Sequence, residues 1–190
     1  MDIDLTTHIL GQKKVRKLNR FSCSEAYYLL NGWTKIDDYV KGKEFTVKEA
    51  YIMLLGSLKH QAIQEWLKEE YQVEVKKEIT IGEIEIVGMA DLLHLEPIGD
   101  KPKLLKGDYG IEIKTSDKLK DKASKGHEFQ ARMYCSLFEV PYFIIMQPVL
   151  AGNKCILKEI GRVKRNDKWF GGIINKLTEL YNTQLKQYGK

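Results

Sequence analysis

Cysteine is scarce in this sequence, and so are the other marks of a secreted or membrane-bound chain. The three cysteines, Cys23, Cys135 and Cys155, are odd in number and lack CxxC spacing. That pattern argues against a disulfide framework or a zinc site, and predicts buried, reduced thiols. No apolar run approaches the ~20 residues that span a bilayer. The opening MDIDLTTHILGQKK also lacks the basic-then-apolar order of a secretory leader. These absences predict a protein of the cytoplasm, or of a host's cytoplasm if viral, with no membrane partner. There is no low-complexity tract and no internal repeat. The net charge of +5 permits a polyanionic partner without requiring one.

What is present is a folding chain of 190 residues, 43% hydrophobic and 30% charged, so a globular protein is expected rather than a disordered one. Its length suits one domain, residues 1–190. Within it we distinguish a helical and basic N-terminal segment (1–45), a core (46–160) and a C-terminal helix (161–190).

SCSE, Ser22 to Glu25, and TVKE, Thr46 to Glu49, have the capping-box form ahead of apolar periodicity, and each predicts a helix start. The first helix should stop at Asn31 and Gly32. The second should run to about Tyr71, with Val47, Tyr51, Leu54, Leu55, Leu58, Ala62, Trp66 and Leu67 at helical spacing, as a central packing helix. The period then changes to two in KKEITIGEIEIVGMADLLHL, which predicts a hairpin turning at Gly82 and Glu83.

A loop EPIGDKPKLLKGD, a strand from Tyr109, a lysine-rich loop and a helix HEFQARMYCSLFEV ending before Pro141 follow. Two strands joined near Gly152 and Asn153 and an amphipathic helix from Asp167 complete the order. The predicted class is α/β in the α+β sense, a central mixed β-sheet flanked by α-helices.

The strand YGIEIKT carries charge where a core strand should not. Alternation puts Tyr109, Ile111 and Ile113 on one face and Gly110, Glu112 and Lys114 on the other. On a half-exposed strand such a pair is a solvated salt bridge of little weight. Asp91 changes that balance, because it lies in the apolar run VGMADLL, where a lone carboxylate is costly to bury. It either caps the strand or pairs with Lys114, or it stands beside Glu112 on the next strand to hold a divalent cation through oxygen.

Gly56 and His60, four apart on the long helix, would open space beside an imidazole directly ahead of these strands. Gln130 and Tyr134 share a helical face just after Lys114.

Taken in order, His60, Asp91, Glu112 with Lys114, and Gln130 with Tyr134 resemble the PD-(D/E)XK nuclease superfamily, in its RecB-like branch, which includes the CRISPR-associated RecB-like exonucleases. The resemblance spans about residues 50–138, and QARMY supplies the QxxxY step that marks the branch. It implies a restriction-endonuclease-like core and a metal-dependent deoxyribonuclease using Mg²⁺ or Mn²⁺. Asp91 and Glu112 would be metal ligands, joined by His60 and the backbone carbonyl of Ile113. Lys114 would orient the attacking water, and Gln130 and Tyr134 would position the strand. The usual PD is AD here, Ala90 and Asp91. The CRISPR-associated branch carries four cysteines for an iron–sulfur cluster, and three cannot supply one, so no cluster is expected.

Single-stranded DNA or DNA with free ends is the expected substrate. Basic runs lie at Lys13 to Arg20 and beside the proposed site at Lys118, Lys120, Lys122 and Lys125, which would contact the backbone without reading sequence. Tyr27, Tyr28, Trp33 and Tyr39 would stack on bases or sit in the core. The competing expectations are a non-catalytic nucleic-acid-binding adaptor on the same fold and a Holliday-junction resolvase, which would need a dimer. An oligomer is compatible with every reading.

Overall fold

Side-chain caps start the helices where the sequence predicts them. The computed structural model describes residues 17–42, 46–94, 108–116 and 118–189. In it the Ser22 hydroxyl accepts the Glu25 N–H and begins helix α1 (Cys23–Leu30). Gly32, at φ +69°, turns the chain out of it. A short helix α2 (Ile36–Lys41) follows. Thr46 accepts the Glu49 N–H while the Glu49 carboxylate takes the Thr46 N–H, a complete capping box for α3 (Val47–Leu67).

The change to period two produces the hairpin of β2 (Gln72–Ile81) and β3 (Ile84–His94), with Gly82 at φ +59° in the turn. Then come β4 (Tyr109–Ile113), α4 (Lys125–Leu137), the hairpin of β5 (Tyr142–Ala151) and β6 (Lys154–Lys164), and α5 (Asp167–Leu180). Ser124 caps α4, so this helix begins two residues before His127. A three-residue strand β1 (Arg20–Ser22) precedes α1. Residues 96–107 of the expected loop EPIGDKPKLLKGD and the basic residues Lys13 to Arg16 lie outside the described residues.

The six strands form one mixed sheet in the order β1-β3-β4-β5-β6, with β2 also paired to β3. β1 with β3 and β4 with β5 are parallel, and the other pairs are antiparallel. On one face α1, α4 and α5 bury Phe21, Ile86, Met133, Leu137, Phe143 and Leu177. On the other, Ile63 and Leu67 of α3 meet Leu92, Ile111, Ile113 and Ile144. This is the expected α+β arrangement, a mixed sheet between helices. No helix among the described residues is long and apolar enough to cross a membrane.

Two expectations are corrected. Helix α3 is not a central packing helix: Val47, Tyr51, Leu58 and Trp66 are 60%, 58%, 52% and 70% exposed. Its final turns reach the sheet through Ile63 and Leu67, whereas periodicity reports only that a face is apolar, not that a surface exists to cover it. Cys155 is exposed, not buried, because the tip of the β5–β6 hairpin, residues 150–156, projects into solvent.

Close packing tests this register. A Cβ on Gly110 would stand 2.1 Å from the Phe143 ring directly opposite on β5, and one on Gly88 would stand 2.5 Å from Leu137. Gly110→Ala and Gly88→Ala should each cost about 1–3 kcal/mol in urea unfolding. Gly171→Ala in α5, where nothing lies within 4 Å, should instead stabilise by up to ~1 kcal/mol.

Candidate active site

β3 is longer than its neighbours can cover. Along the edge away from β2, β1 pairs with residues 85–87 and β4 with residues 92–94, so 88–91 face a gap in the sheet. Backbone groups at such a gap need partners. Side chains enter it: Asp91 Oδ2 accepts the Ile113 N–H at 2.6 Å, and the Tyr134 ring packs against Gly88, where an added Cβ would stand 2.7 Å from its Cε1. At Asp91 the alternation of β3 also turns over, since Ala90 packs in one core and Leu92 in the other.

Helix α3 holds the same residue from the other side. His60 Nδ1 lies 3.4 Å from Asp91 Oδ1, and Gln64 Nε2 donates to the Asp91 carbonyl at 3.4 Å. The hydrogen bond to Asp91 raises the His60 pKa against the opposing effect of burial. Gly56 does not open space beside His60 as expected. It faces Thr115, whose Oγ1 would be 3.4 Å from a Cβ there.

Glu112 is 3% exposed, which removes the solvated salt-bridge reading of its pair with Lys114. Lys114 Nζ donates to Glu112 Oε1 at 2.5 Å and to Gln130 Oε1 at 3.0 Å, and Gln130 Nε2 donates to the Tyr134 hydroxyl at 3.0 Å. Glu112, Lys114, Gln130 and Tyr134 are therefore one chain of hydrogen bonds. The other Glu112 oxygen, Oε2, is buried with no partner. Burial, then the charge of Asp91, push the Glu112 carboxyl well above the usual carboxylate range, with Lys114 pulling against them.

The structure thus brings His60, Asp91, Glu112, Ile113, Lys114, Gln130 and Tyr134 together around the gap. Among the described residues no three His, Cys, Asp or Glu side chains stand as a ready-made metal cage. Lys114 takes one Glu112 oxygen, and the Ile113 N–H takes one of Asp91.

Of the loop lysines, Lys118, Lys122 and Lys125 are exposed and Lys120 is half-buried. Burial, with the charges of Lys114 and Lys120, lowers the pKa of His127 to about 4. Of the aromatics, Tyr39 is in the core, and Tyr28 and Trp33 are exposed, 42% and 70%.

Several site residues escape a reading of the sequence. Gln147 is 1% exposed and pins the lysine loop: its Oε1 accepts the Lys120 N–H at 3.0 Å, and its Nε2 donates to the carbonyls of Ser116 and Lys118 at 3.0 and 2.8 Å. Its signal is a lone amide inside the apolar run YFIIMQPVL, the same kind of signal that marks Asp91. Gln64 could be found as the residue one turn after His60. Cys23, at the start of α1, lies close enough for the charge of Glu112 to add to burial in raising its thiol pKa.

No family model matches the chain, and no curated protein matches it in sequence. Among solved structures, the alkaline exonuclease LHK-Exo from Laribacter hongkongensis is similar to it with a TM-score of 0.54 at 13% identity, over 87% of this chain and 87% of that one. The chain has the fold of an alkaline exonuclease. LHK-Exo in complex with dAMP gives a TM-score of 0.58 at 14% identity over the same shares, 87% and 87%. SSO0001 gives 0.54 at 19% identity, over 90% of this chain and 80% of that one. At such identities the likeness to LHK-Exo is one of fold.

Asp91 can be tested apart from any chemistry. In metal-free buffer Asp91→Ala should lose about 1–3 kcal/mol in urea unfolding by leaving the Ile113 N–H without its acceptor. Asp91→Asn, which keeps an acceptor oxygen, should lose clearly less.

Proposed function

We propose that this chain is a divalent-metal-dependent nuclease that hydrolyses DNA phosphodiester bonds, on single strands or at DNA ends. Glu112 carries the reading. A carboxylate buried to 3% exposure, with one oxygen unpartnered and a second carboxylate close enough to raise its pKa, is expensive to keep unless a cation joins it. The donor set suits Mg²⁺ or Mn²⁺: hard oxygens on Asp91 and Glu112, the Ile113 carbonyl between Glu112 and Lys114 in sequence, and His60 beside Asp91. The exonuclease fold supports the reaction class, and the dAMP held by LHK-Exo supports a nucleotide chain as the ligand.

A cation there would supply an acidified water and neutralise phosphate charge. The protein's own residues do the rest. Lys114 presents a compact positive charge that Gln130 holds in place, so that when a phosphate enters, the ammonium can turn from Glu112 Oε1 to a non-bridging oxygen and stabilise the charge that develops there. Gln130 is fixed by Tyr134 one turn along the same helix, so the ammonium is held from α4 and not from a loop. Lys118, Lys120, Lys122 and Lys125 would bear on the backbone of the incoming strand.

Digestion of end-labelled linear and of circular single-stranded DNA tests the proposal. Cleavage should require Mg²⁺ or Mn²⁺ and vanish with EDTA. Glu112→Ala, Asp91→Ala and Lys114→Ala should each lower it by on the order of 10²-fold or more. Gln130→Ala, which acts through Lys114, should cost roughly 10- to 100-fold. Cutting of the circle would assign an endonuclease, and loss of label from linear DNA alone an exonuclease. Intact DNA in every lane, with salt-sensitive binding, would make the chain a nucleic-acid-binding protein instead.

A further inference from the structure

Beside the candidate active site lies a cavity of about 550 Å³ between α3, the lysine loop and the β5–β6 hairpin. That is within the ~300–1,000 Å³ typical of ligand pockets. Its walls are apolar and unusually open to solvent: Trp66 is 70% exposed, Leu119 59% and Leu150 84%. Single exposed hydrophobics need no explanation, but three on facing walls of one groove do.

The groove adjoins the site through sequence neighbours of its residues. Thr115, directly after Lys114, lines it, and so do Lys59 and Ile63, which flank His60 in sequence and on the next turn of α3. It is also held open by the backbone, since buried Gln147 ties Ser116, Lys118 and Lys120 to β5 and so fixes the wall that carries Leu119.

Charge complementarity indicates what enters. Lys59 lies in the lining, and Lys118 and Lys120 flank the lining residue Leu119 in sequence. A ligand that fits such a groove has flat apolar faces joined by an anionic backbone. Those are the properties of an unpaired nucleic-acid strand, in which bases stack on aromatic and apolar side chains while lysines neutralise phosphates.

We propose that this groove is a base-binding subsite, in which Trp66 stacks on an unpaired nucleobase next to the phosphate at Lys114. The inference rests on the nuclease reading for the position of that phosphate. It adds a grip on the bases themselves, independent of sequence because every base offers a π-face.

The test measures binding of a fluorescent single-stranded oligo(dT) and of an abasic strand of equal length to the full chain. It is done in EDTA by anisotropy, with wild type, Trp66→Ala and Leu150→Ser. Trp66→Ala should weaken oligo(dT) binding by on the order of 10-fold while leaving the abasic strand within about twofold, and Leu150→Ser should act in the same direction. Both side chains are exposed, so the fold should survive either change, and each variant serves as a check on the other. Unchanged preference for oligo(dT) in both variants would overturn the subsite. So would a change of oligomeric state by sedimentation in Trp66→Ala with strand binding intact, which would make the groove a contact between copies of this chain. Because no cleavage is needed, a chain that cuts nothing can still show the subsite. Metal-dependent cutting abolished by Glu112→Ala, with oligo(dT) binding indifferent to Trp66, would remove the subsite and leave the nuclease.

Discussion

The hydrogen bond from the Ile113 N–H to the Asp91 carboxylate is the contact on which the site depends. β3 and β4 pair only from residues 92–94 to 109–111 and then part. Without an acceptor in the opening, the Ile113 N–H would be a buried donor with no ladder partner, at a cost of about 1–3 kcal/mol. One carboxylate oxygen closes the ladder, while the other faces His60. The separation of the strands and the gathering of charged groups are thus the same structural event. A continuous sheet would have had backbone where Tyr134 and Asp91 now reach in.

That arrangement places unlike demands on Glu112. Its position on β4 turns it toward α4 and the larger core, so it is desolvated, and Asp91 adds like charge nearby. Lys114 answers for one oxygen only. Well-packed apolar residues at this position would serve stability better, as they generally do in place of buried ion pairs. The local rule is broken where the rest of the fold obeys it, which is the usual mark of a working site. The stability that tolerates it comes from the two apolar layers on either side of the sheet.

Much of this is legible in the order of residues alone. The Ser22 cap and the Thr46 capping box, alternation through Ile79 to Ile86, and the charged pair in YGIEIKT each have a local cause, and local causes leave a pattern in sequence. Asp91, Glu112 and Lys114 are visible because charge in an apolar run is conspicuous. The rest depends on distant partners. β1 is three residues long and exists as a strand only because β3 offers it an edge. The exposure of α3 reflects how much sheet lies beneath it, and the cavity at Trp66 arises from three segments that share no sequence signal. Gln147 lies seventeen residues from Gln130 on another element, and its role appears only once the loop is seen against β5.

Among the described residues, the hydrogen bonds of Gln147 to the lysine loop all go to main-chain atoms: the N–H of Lys120 and the carbonyls of Ser116 and Lys118. Every residue type but proline offers the same main-chain atoms there. At these points the course of the loop is set without reference to the side chains it displays, although the Ser116 hydroxyl also accepts the Lys118 N–H. Charge density beside the candidate site can be retuned by exchanging Lys118 or Lys120 without losing these bonds, whereas the Gln147 amide on the neighbouring strand, which makes all three, has no such latitude.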